Sequence, residues 1–169
     1  MTDNELEKYV RLYRKNVISA ALCYVKNTSD AEDISQEVFI KLYTYSGSFE
    51  SDEHVKAWLL RCAINMSKNL LQTHWYRFSA PLEAADGKVH YDVTERSGFL
   101  EVLQKVSRKN RAALYMYYYE GYSTAEIAKI LKTNENAVSA RLSRGRRQIR
   151  KLLTDERNGT NDELQRFIR

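Results

Sequence analysis

Apolar side chains recur at intervals of three and four along three stretches in the first half of the chain. This spacing places them on one face of an α-helix, whereas a half-buried strand would alternate apolar and polar residues. The stretches run from Glu5 to about Lys26, from about Asp30 to Tyr45 and from about Glu53 to His74. The pattern therefore predicts three amphipathic helices.

Polar residues and one glycine predict where these helices begin and end. Ser29 followed by Glu32 matches a capping box before the second helix, and Gly47 is expected to end it. Ser51 or Asp52 is expected to cap the third helix. The predicted buried positions are Ile34, Val38, Phe39 and Leu42 on the second helix, and Val55, Trp58, Leu59, Cys62, Ile64, Met66 and Leu70 on the third.

The helical period fails between Arg77 and Arg96, where Pro81, the only proline of the chain, and Gly87 occur. Because this stretch has no repeating apolar face, we interpret it as an interdomain linker. The predicted organisation is a domain of residues 1–76, a linker of residues 77–96, a second domain of residues 97–154 and a polar tail of residues 155–169.

Helical periodicity returns near Gly98, with apolar positions at Phe99, Val102, Leu103 and Val106. Ser107 is expected to cap a further helix through the tyrosine-rich AALYMYYYE, and Gly121 to close it. Ser123 and Glu126 form a second capping box, which opens a short helix ending near Leu131. No strand pattern of weight occurs, so the predicted fold class is all-α, with two small helical domains joined by a flexible linker.

The short helix is followed by a tight turn, Lys132 to Asn134, and then by a longer helix from about Glu135 to Leu153. Two helices joined in this way, the second one basic, form the helix-turn-helix pattern. Small and polar residues near the start of the second helix can approach base edges in the major groove, and arginines further along can reach phosphates. The predicted shared core is Ile127, Ile130, Leu131, Val138, Leu142 and Ile149.

Charge is distributed unevenly along the 169 residues, although the formal net charge is only +5. Six basic residues and no acid lie between Asn136 and Thr154, whereas Asn27 to Ile40 holds four acids and no lysine or arginine. This asymmetry suggests a polyanionic partner at one end and a different partner at the other.

Several classes of protein are not indicated. Cys23 and Cys62 lie in apolar helical surroundings, as expected for buried free thiols, and no metal-ligand spacing, phosphate-binding glycine loop or catalytic set is visible. We therefore expect no cofactor, no metal and no enzymatic activity. The N-terminus is polar and no apolar run approaches the ~18 residues of a membrane span, so we expect a cytoplasmic protein without membrane insertion of its own.

Three segments, in this order, resemble bacterial sigma factors. DAEDISQEVFIKLY is similar to the helix that binds core polymerase, WLLRCAINMSKNLLQ to the helix that melts the promoter, and EGYSTAEIAKILKTNENAVSARLSRGRRQIRKLL to region four. With its short linker, the chain resembles the extracytoplasmic-function (group IV) sigma factors, which keep only regions two and four. It departs from their usual pattern at Lys132 and Thr133 in the turn, at Asn136-Ala137 at the start of the last helix, and at Asn69 and Gln72.

The resemblance implies three sites. Core polymerase, through its β′ coiled coil, is expected to meet Asp30, Asp33, Gln36, Glu37 and Lys41. The downstream −10 promoter element is expected to meet Lys56, Arg61, Asn65, Lys68, Asn69 and Gln72. The upstream −35 element is expected to meet Glu135, Asn136, Ser139, Ala140, Arg141, Ser143, Arg144 and Arg147.

Other surface features keep two interpretations open. The loop Tyr45–Glu53 is a candidate pocket for an extruded base, and the run His74 to Tyr76 either stacks on bases or anchors the linker. The tyrosines between Tyr115 and Tyr122 are expected mainly in the core, with a surface aromatic available to the polymerase β flap. The resemblance also implies a cognate anti-sigma factor.

Two alternatives to a dissociable sigma factor remain open at this point. The first is a stand-alone helix-turn-helix regulator whose N-terminal half senses a signal or dimerises, binding a palindrome without polymerase. The second is a helical protein-interaction module such as an adaptor, against which the basic helix counts.

Overall fold

The computed structural model of the chain describes residues 1–73 and 94–155, and every regular element in these two segments is helical. The chain divides into two compact units, Met1–His90 and Tyr91–Arg169. No helix among the described residues is long and apolar enough to cross a membrane. The all-α fold class is confirmed.

The first helix, α1, spans Asp3–Leu22 and begins two residues earlier than predicted. Its start is set by a capping box: the Thr2 hydroxyl accepts from the Glu5 backbone N–H, and the Glu5 carboxylate accepts from the Thr2 N–H at 2.8 Å. From Val17 onward the helix is buried, so only its second half supplies core side chains.

The second helix, α2, spans Thr28–Thr44, and the predicted capping box at its start is wrong. The N-cap is Asn27, whose side-chain oxygen accepts from the Asp30 N–H at 2.7 Å, so Ser29 lies inside the first turn. Asparagine at N-cap is as favourable as serine, so Asn27 can start the helix two residues before the predicted cap. It ends at Thr44, three residues before Gly47. The predicted buried stripe of α2 is confirmed.

The third helix, α3, spans Asp52–Gln72, with Ser51 as its N-cap. Its predicted buried face is only partly right. Trp58, Cys62, Met66 and Leu70 are half-buried instead. The buried positions are Val55, Leu59, Leu60, Ala63, Ile64, Ser67 and Leu71, because α1 and α2 both pack against α3 and cover a wider arc than a single stripe.

A cluster of polar contacts joins the start of α1 to the start of α3. The Lys8 ammonium lies 2.6 Å from the Asp52 carboxylate, which also accepts from the Tyr9 hydroxyl at 2.9 Å. The Tyr13 hydroxyl donates to the Asp52 backbone carbonyl at 3.3 Å. The hydrogen bond from Lys8 holds the pKa of Asp52 below its ordinary value. These contacts fix the end of the loop that precedes α3.

The second unit begins with α4, Thr94–Lys105, four residues before the predicted return of helical periodicity at Gly98. The predicted apolar positions Phe99, Val102, Leu103 and Val106 are all buried, as expected. The next helix, α5, spans Arg108–Leu114, and Ser107 stands at its N-cap position. The Ser107 hydroxyl makes no cap hydrogen bond, contrary to prediction: its oxygen accepts from the Asn110 side-chain amide at 2.9 Å, and its hydrogen is donated to the Gln148 amide oxygen at 3.3 Å.

The tyrosine run is not a continuation of α5 but a π-helical turn, Tyr115–Tyr119. Its wider spacing is closed by the Glu120 N–H donating to the Tyr115 carbonyl at 3.2 Å. As a result Tyr115 and Tyr122 are buried, whereas 39% of Tyr117 is exposed, so the expectation that these tyrosines are mainly core holds only for part of the run. Gly121 follows with φ +78°, the left-handed conformation predicted for it.

The helix-turn-helix consists of α6, Thr124–Ile130, and α7, Glu135–Asp155. The predicted capping box of Ser123 and Glu126 opens α6, and the Ser123 N–H holds the pKa of Glu126 below its ordinary value. Of the predicted shared core, Ile127, Val138, Leu142 and Ile149 are buried, and Ile130 and Leu131 are half-buried.

The turn between these helices has the geometry of a Schellman motif without its usual glycine. The Thr133 N–H donates to the Ala128 carbonyl at 2.9 Å, and the Lys132 N–H donates to the Lys129 carbonyl at 3.3 Å. Lys132 has φ +50°, a left-handed conformation that costs a lysine about 1 kcal/mol. Asn134 then accepts from the Ala137 N–H at 2.8 Å and so serves as the cap of α7.

Candidate polymerase and nucleic-acid interfaces

The acidic face of α2 is exposed at most of the predicted positions. Asp33, Gln36, Glu37 and Lys41 are exposed, and Asp33, Glu37 and Lys41 follow one another at intervals of four along one side of the helix. Asp30 is half-buried, and its carboxylate accepts from the Asn27 side-chain amide at 2.7 Å. It therefore contributes to the helix cap, and the acids that this face presents to a partner are Asp33 and Glu37.

Two large apolar side chains lie beside this acidic face and were not assigned to it from the sequence. Ile40 is 63% exposed and Tyr43 is 47% exposed. The Tyr43 hydroxyl donates to the Asp3 carboxylate at 3.1 Å, which holds the ring against the start of α1. Helical spacing could have identified Ile40 as an exposed position. Phe39 and Leu42 lie on the buried face of α2, and Ile40, one residue after Phe39, is rotated away from that face.

The polar face of α3 is exposed mainly toward its C-terminal half. Asn65, Asn69 and Gln72 are exposed, whereas Arg61 is half-buried. Lys68 is half-buried with its ammonium 5.7 Å from the centre of the Tyr24 ring, a cation–π distance. This arrangement gives a row of amide donors and acceptors flanked by positive charge.

Lys56, at the start of α3, stands apart from this row. Its ammonium lies 3.9 Å from the Glu53 carboxylate, one turn earlier on the same helix. The ion pair partly neutralises the charge that the sequence assigned to DNA contact.

The loop before α3 contains an aromatic cluster. The Tyr45 ring lies 5.1 Å from both Phe49 and Trp58, and the Phe49 ring lies edge-on to Trp58 at 5.8 Å and to His54 at 5.4 Å. The sequence predicted Trp58 in the core, but it belongs to this half-exposed cluster. The loop is wrapped so tightly on Tyr45 that a side chain at Gly47 would overlap its ring.

On α7 the predicted DNA-facing side chains form one exposed surface at the start of the helix. Glu135, Asn136, Ser139, Ser143, Arg144 and Arg147 are exposed, and Ala140 and Arg141 are half-buried. The opposite face carries Val138, Leu142 and Ile149 in the core. The structure thus presents small and polar side chains first along α7 and arginines further on, the order that the sequence predicted.

Two charged side chains of α7, Arg146 and Glu135, bond to side chains elsewhere in the second unit. The Arg146 guanidinium donates to the Tyr118 hydroxyl at 3.1 Å, which directs this arginine toward the π-helical turn. The Glu135 carboxylate accepts from the Thr124 hydroxyl at 2.6 Å. Neither interaction could be inferred from the sequence, since the partners lie 28 and 11 residues apart.

The close approach of α5 and α7 supports this surface from behind. Gly145 faces Leu114, and a methyl group at Gly145 would come within 2.6 Å of the Leu114 side chain. Gln148 accepts from the Ser107 N–H and from the Asn110 amide, both at 3.2 Å.

In the described ranges 1–73 and 94–155, no group of three histidine, cysteine or acidic side chains is placed to hold a metal ion. Burial raises the pKa of the Cys62 thiol.

The predicted aromatic run His74, Trp75 and Tyr76, most of the predicted linker 77–96 and most of the tail 155–169 lie outside the described residues. The roles expected for this run, base stacking or anchoring of the linker, therefore stay predictions.

Each of the two units matches a known protein family. The family described as Sigma-70 region 2 matches residues 9–77, and the family described as Sigma-70, region 4 matches residues 97–149. The ECF RNA polymerase sigma factor SigW of Bacillus subtilis is 28% identical over 165 residues, with 86% of this chain and 87% of that protein covered. The chain belongs to the extracytoplasmic-function sigma factors.

Other relatives agree with this membership. The sigma factor SigM of Mycobacterium tuberculosis (strain H37Rv) is 27% identical, with 92% of this chain and 80% of that protein covered. A protein of Xanthomonas campestris named probable RNA polymerase sigma factor RfaY is 27% identical over 95% of this chain, which spans only 40% of that longer protein.

A solved structure also supports the sigma factor fold. The sigma factor RpoE of Bartonella quintana, solved in complex with the anti-sigma factor NepR, matches with a TM-score of 0.69 at 21% identity, covering 90% of this chain and 98% of that one. At this level of identity the match establishes the fold: the chain has the all-helical fold of that structure.

Proposed function

We propose that this sigma factor is a dissociable subunit that directs bacterial RNA polymerase core to specific promoters and assists strand opening. The observation that carries this is the combination of the two units in one chain, a region 2 match at residues 9–77 and a region 4 match at residues 97–149. The proposed domains are residues 1–76, which would recognise the −10 element, and residues 97–154, which would recognise the −35 element. The helix-turn-helix unit alone would fit a repressor equally well; the polymerase-binding half does not.

The proposed contacts follow the exposed surfaces. Asp33 and Glu37, supported by Gln36 and Lys41 and flanked by Ile40, would dock on the polymerase β′ coiled coil, where an acidic, partly apolar face suits a basic helical partner. The half-buried Asp30 would hold the start of this face in place. We assign a further contact, between region four and the β flap, to the exposed Tyr117 beside α5.

The polar row of α3 would meet single-stranded DNA. Arg61, Asn65, Lys68, Asn69 and Gln72 would bind the backbone and unpaired bases of the non-template strand, with Lys56 assisting from the start of the helix. Aromatic rings bind unpaired bases by stacking, and Tyr45 and Phe49 of the loop before α3 pack with Trp58 in the N-terminal half of that helix. We propose this loop as the place where an extruded base is held.

The protein would supply specificity while the polymerase supplies the chemistry, so we propose no catalytic role and no cofactor for it. It would act in the cytoplasm, where bacterial polymerase transcribes. The RpoE structure was solved with an anti-sigma factor, and we propose that this chain also has a cognate one. Such a partner would cover the polymerase- and DNA-binding faces.

The test is transcription in vitro by core polymerase with and without this protein. Core alone is expected to start nonspecifically, and adding the protein should produce defined transcripts from a library of promoter fragments. The alternative, a stand-alone helix-turn-helix regulator, predicts tight binding to a palindromic duplex without polymerase. Such binding together with no new transcripts would favour the regulator and reject the sigma factor function.

Changing Asn65, Lys68 and Asn69 together to alanine is expected to impair open-complex formation more than closed-complex binding. Their proposed targets become available only when the strands separate, and removing each hydrogen bond to the unpaired strand should cost roughly 0.5–1.5 kcal/mol. Permanganate reactivity of unpaired thymines measures the open complex, and filter binding on ice measures the closed one.

The control is Lys15→Ala, an exposed basic residue on α1 outside the proposed site, which removes the same single positive charge as the change at Lys68. Thermal denaturation of both variants would account for removal of the Lys68 interaction with Tyr24. Permanganate reactivity that remains at the wild-type level in the triple variant would remove the assignment of this row to strand opening.

A further inference from the structure

The helix-turn-helix is closed by a hydrogen bond between the first residues of its two helices. Thr124 opens α6 and Glu135 opens α7, and the Thr124 hydroxyl donates to the Glu135 carboxylate at 2.6 Å. The bond links two points that are 11 residues apart in the chain. It therefore forms a ring of backbone and side chains that runs through α6, the turn and back.

The turn between α6 and α7 holds the two helix ends by local hydrogen bonds. Its Schellman hydrogen bonds fix the end of α6, and Asn134 fixes the start of α7, but both sets of hydrogen bonds are local to their own helix. Ile127 of α6 and Val138 of α7 are both buried, so apolar packing also holds the two helices together. Any rotation of α7 about the turn changes the distance between Thr124 and Glu135, so this bond opposes it.

The position of Glu135 argues against a direct role in reading bases. A glutamate can accept from the amino group of cytosine, but here one carboxylate oxygen already accepts from a hydroxyl within the protein. Turned toward DNA, the carboxylate would face phosphate charge of the same sign. In its observed place it lies in the first turn of α7, where a negative charge is favourable.

We infer that Glu135 is a positioning residue, held by Thr124, which sets the angle at which α7 presents Asn136 and Ser139 to DNA. This inference rests on the proposed role of α7 as the recognition helix. Glu135 would then support the orientation of the whole DNA-facing surface of α7, rather than contact a single base pair. Removing the bond should therefore weaken recognition of every upstream base pair to the same degree.

The experiment is a double-mutant cycle in holoenzyme. Thr124→Val keeps the branched shape and a similar helix propensity but removes the hydroxyl, and Glu135→Ala removes the acceptor. Thr124 is not the N-cap, so the Ser123 capping box stays intact. Thr124→Ser restores the hydroxyl and is the rescue variant. Each holoenzyme is titrated against a panel of duplexes with single base-pair changes in the upstream element.

Thr124→Val and Glu135→Ala are each expected to lower affinity about three- to tenfold, equally across the panel, which is the range for removal of one exposed side-chain hydrogen bond. The double variant should be no weaker than either single one, because both remove the same bond. Thr124→Ser should return to wild-type affinity. A change of preference at one base pair in Glu135→Ala alone, or multiplicative losses in the double variant, would overturn the inference.

A second measurement tests the bond without DNA. Hydrogen exchange of the Ala137 and Val138 amides, which are bonded in the first turn of α7, should accelerate in Thr124→Val and recover in Thr124→Ser. Unchanged exchange would reject the positioning role of Glu135, whether or not α7 is the recognition helix. If exchange accelerates while Asn136 and Ser139 variants keep the wild-type promoter preference, the recognition-helix assignment fails and the positioning of a DNA reader fails with it.

Discussion

Reversing the charge of both Asp33 and Glu37 to lysine is expected to weaken binding to core polymerase by about 2 kcal/mol or more, roughly thirtyfold. Both side chains are exposed, lie four residues apart on α2 and are the acids of this face that stand outside the helix cap. Placing positive charge opposite a basic partner replaces attraction by repulsion, which slows association and destabilises the complex. Affinity is measured by fluorescence anisotropy of labelled sigma factor titrated with core.

The control must carry the same change in net charge at a different surface. Glu7 and Glu101 are exposed acids, on α1 and α4, outside every proposed site, and reversing both gives a matched variant. Circular dichroism should show unchanged helical content in both double variants. Salt should weaken binding at this face in the wild type and strengthen it in the charge-reversed α2 variant, because it screens attraction in the first and repulsion in the second. If it binds core as tightly as the wild type, α2 is not the docking face.

The second large effect is expected on promoter choice. Changing Asn136 or Ser139 to alanine should alter which upstream sequence is preferred, at roughly 1–3 kcal/mol for each good base interaction that the change removes. These side chains are exposed at the start of α7, where a helix inserted in the major groove meets base edges. The measurement is binding of mutant holoenzymes to a promoter panel with every upstream base pair varied.

Arginine variants on the same helix provide the contrast. Changing Arg141 or Arg144 to alanine should weaken binding evenly across sequences, and removing each phosphate interaction should lower the salt slope by about one. Arg146 is a built-in control, because it donates to Tyr118 and should leave both the preference and the salt slope unchanged. Wild-type preference at every upstream position in the Asn136 and Ser139 variants would show that α7 is not the reader.

Local interactions explain why much of the helix pattern could be predicted. The capping box of Ser123 and Glu126 joins residues three apart, and the buried stripe of α2 repeats every three or four residues. Both depend on side chains that any helix brings together, whatever packs against it. The left-handed Gly121 is similar, since only the local backbone decides it. Such features determined the all-α fold, the position of the helix-turn-helix and the exposed start of its second helix.

The errors occurred where local signals compete or where a neighbouring helix decides. Asn27 and Ser29 are both residue types that cap helices, and in the structure Asn27 accepts from the Asp30 N–H, which leaves Ser29 inside the first turn. Trp58 has the spacing of a core residue, yet its ring packs against the rings of Tyr45 and Phe49 in the loop before α3. The π-helical turn follows from fitting Tyr115 and Met116 into the core of the second unit, which an ordinary helical period does not reveal.

The sequence by itself determined the elements, the charge of each surface and the family, because these depend on residue type and on spacings of a few residues. The tertiary structure decided which of the charged side chains are held by partners within the protein. Lys8 and Asp52 meet across 44 residues, Arg146 and Tyr118 across 28, and Glu135 and Thr124 across 11. Such interactions between residues far apart in the chain form only when packed helices bring the two residues together. The spacing of residues along the sequence therefore does not predict them.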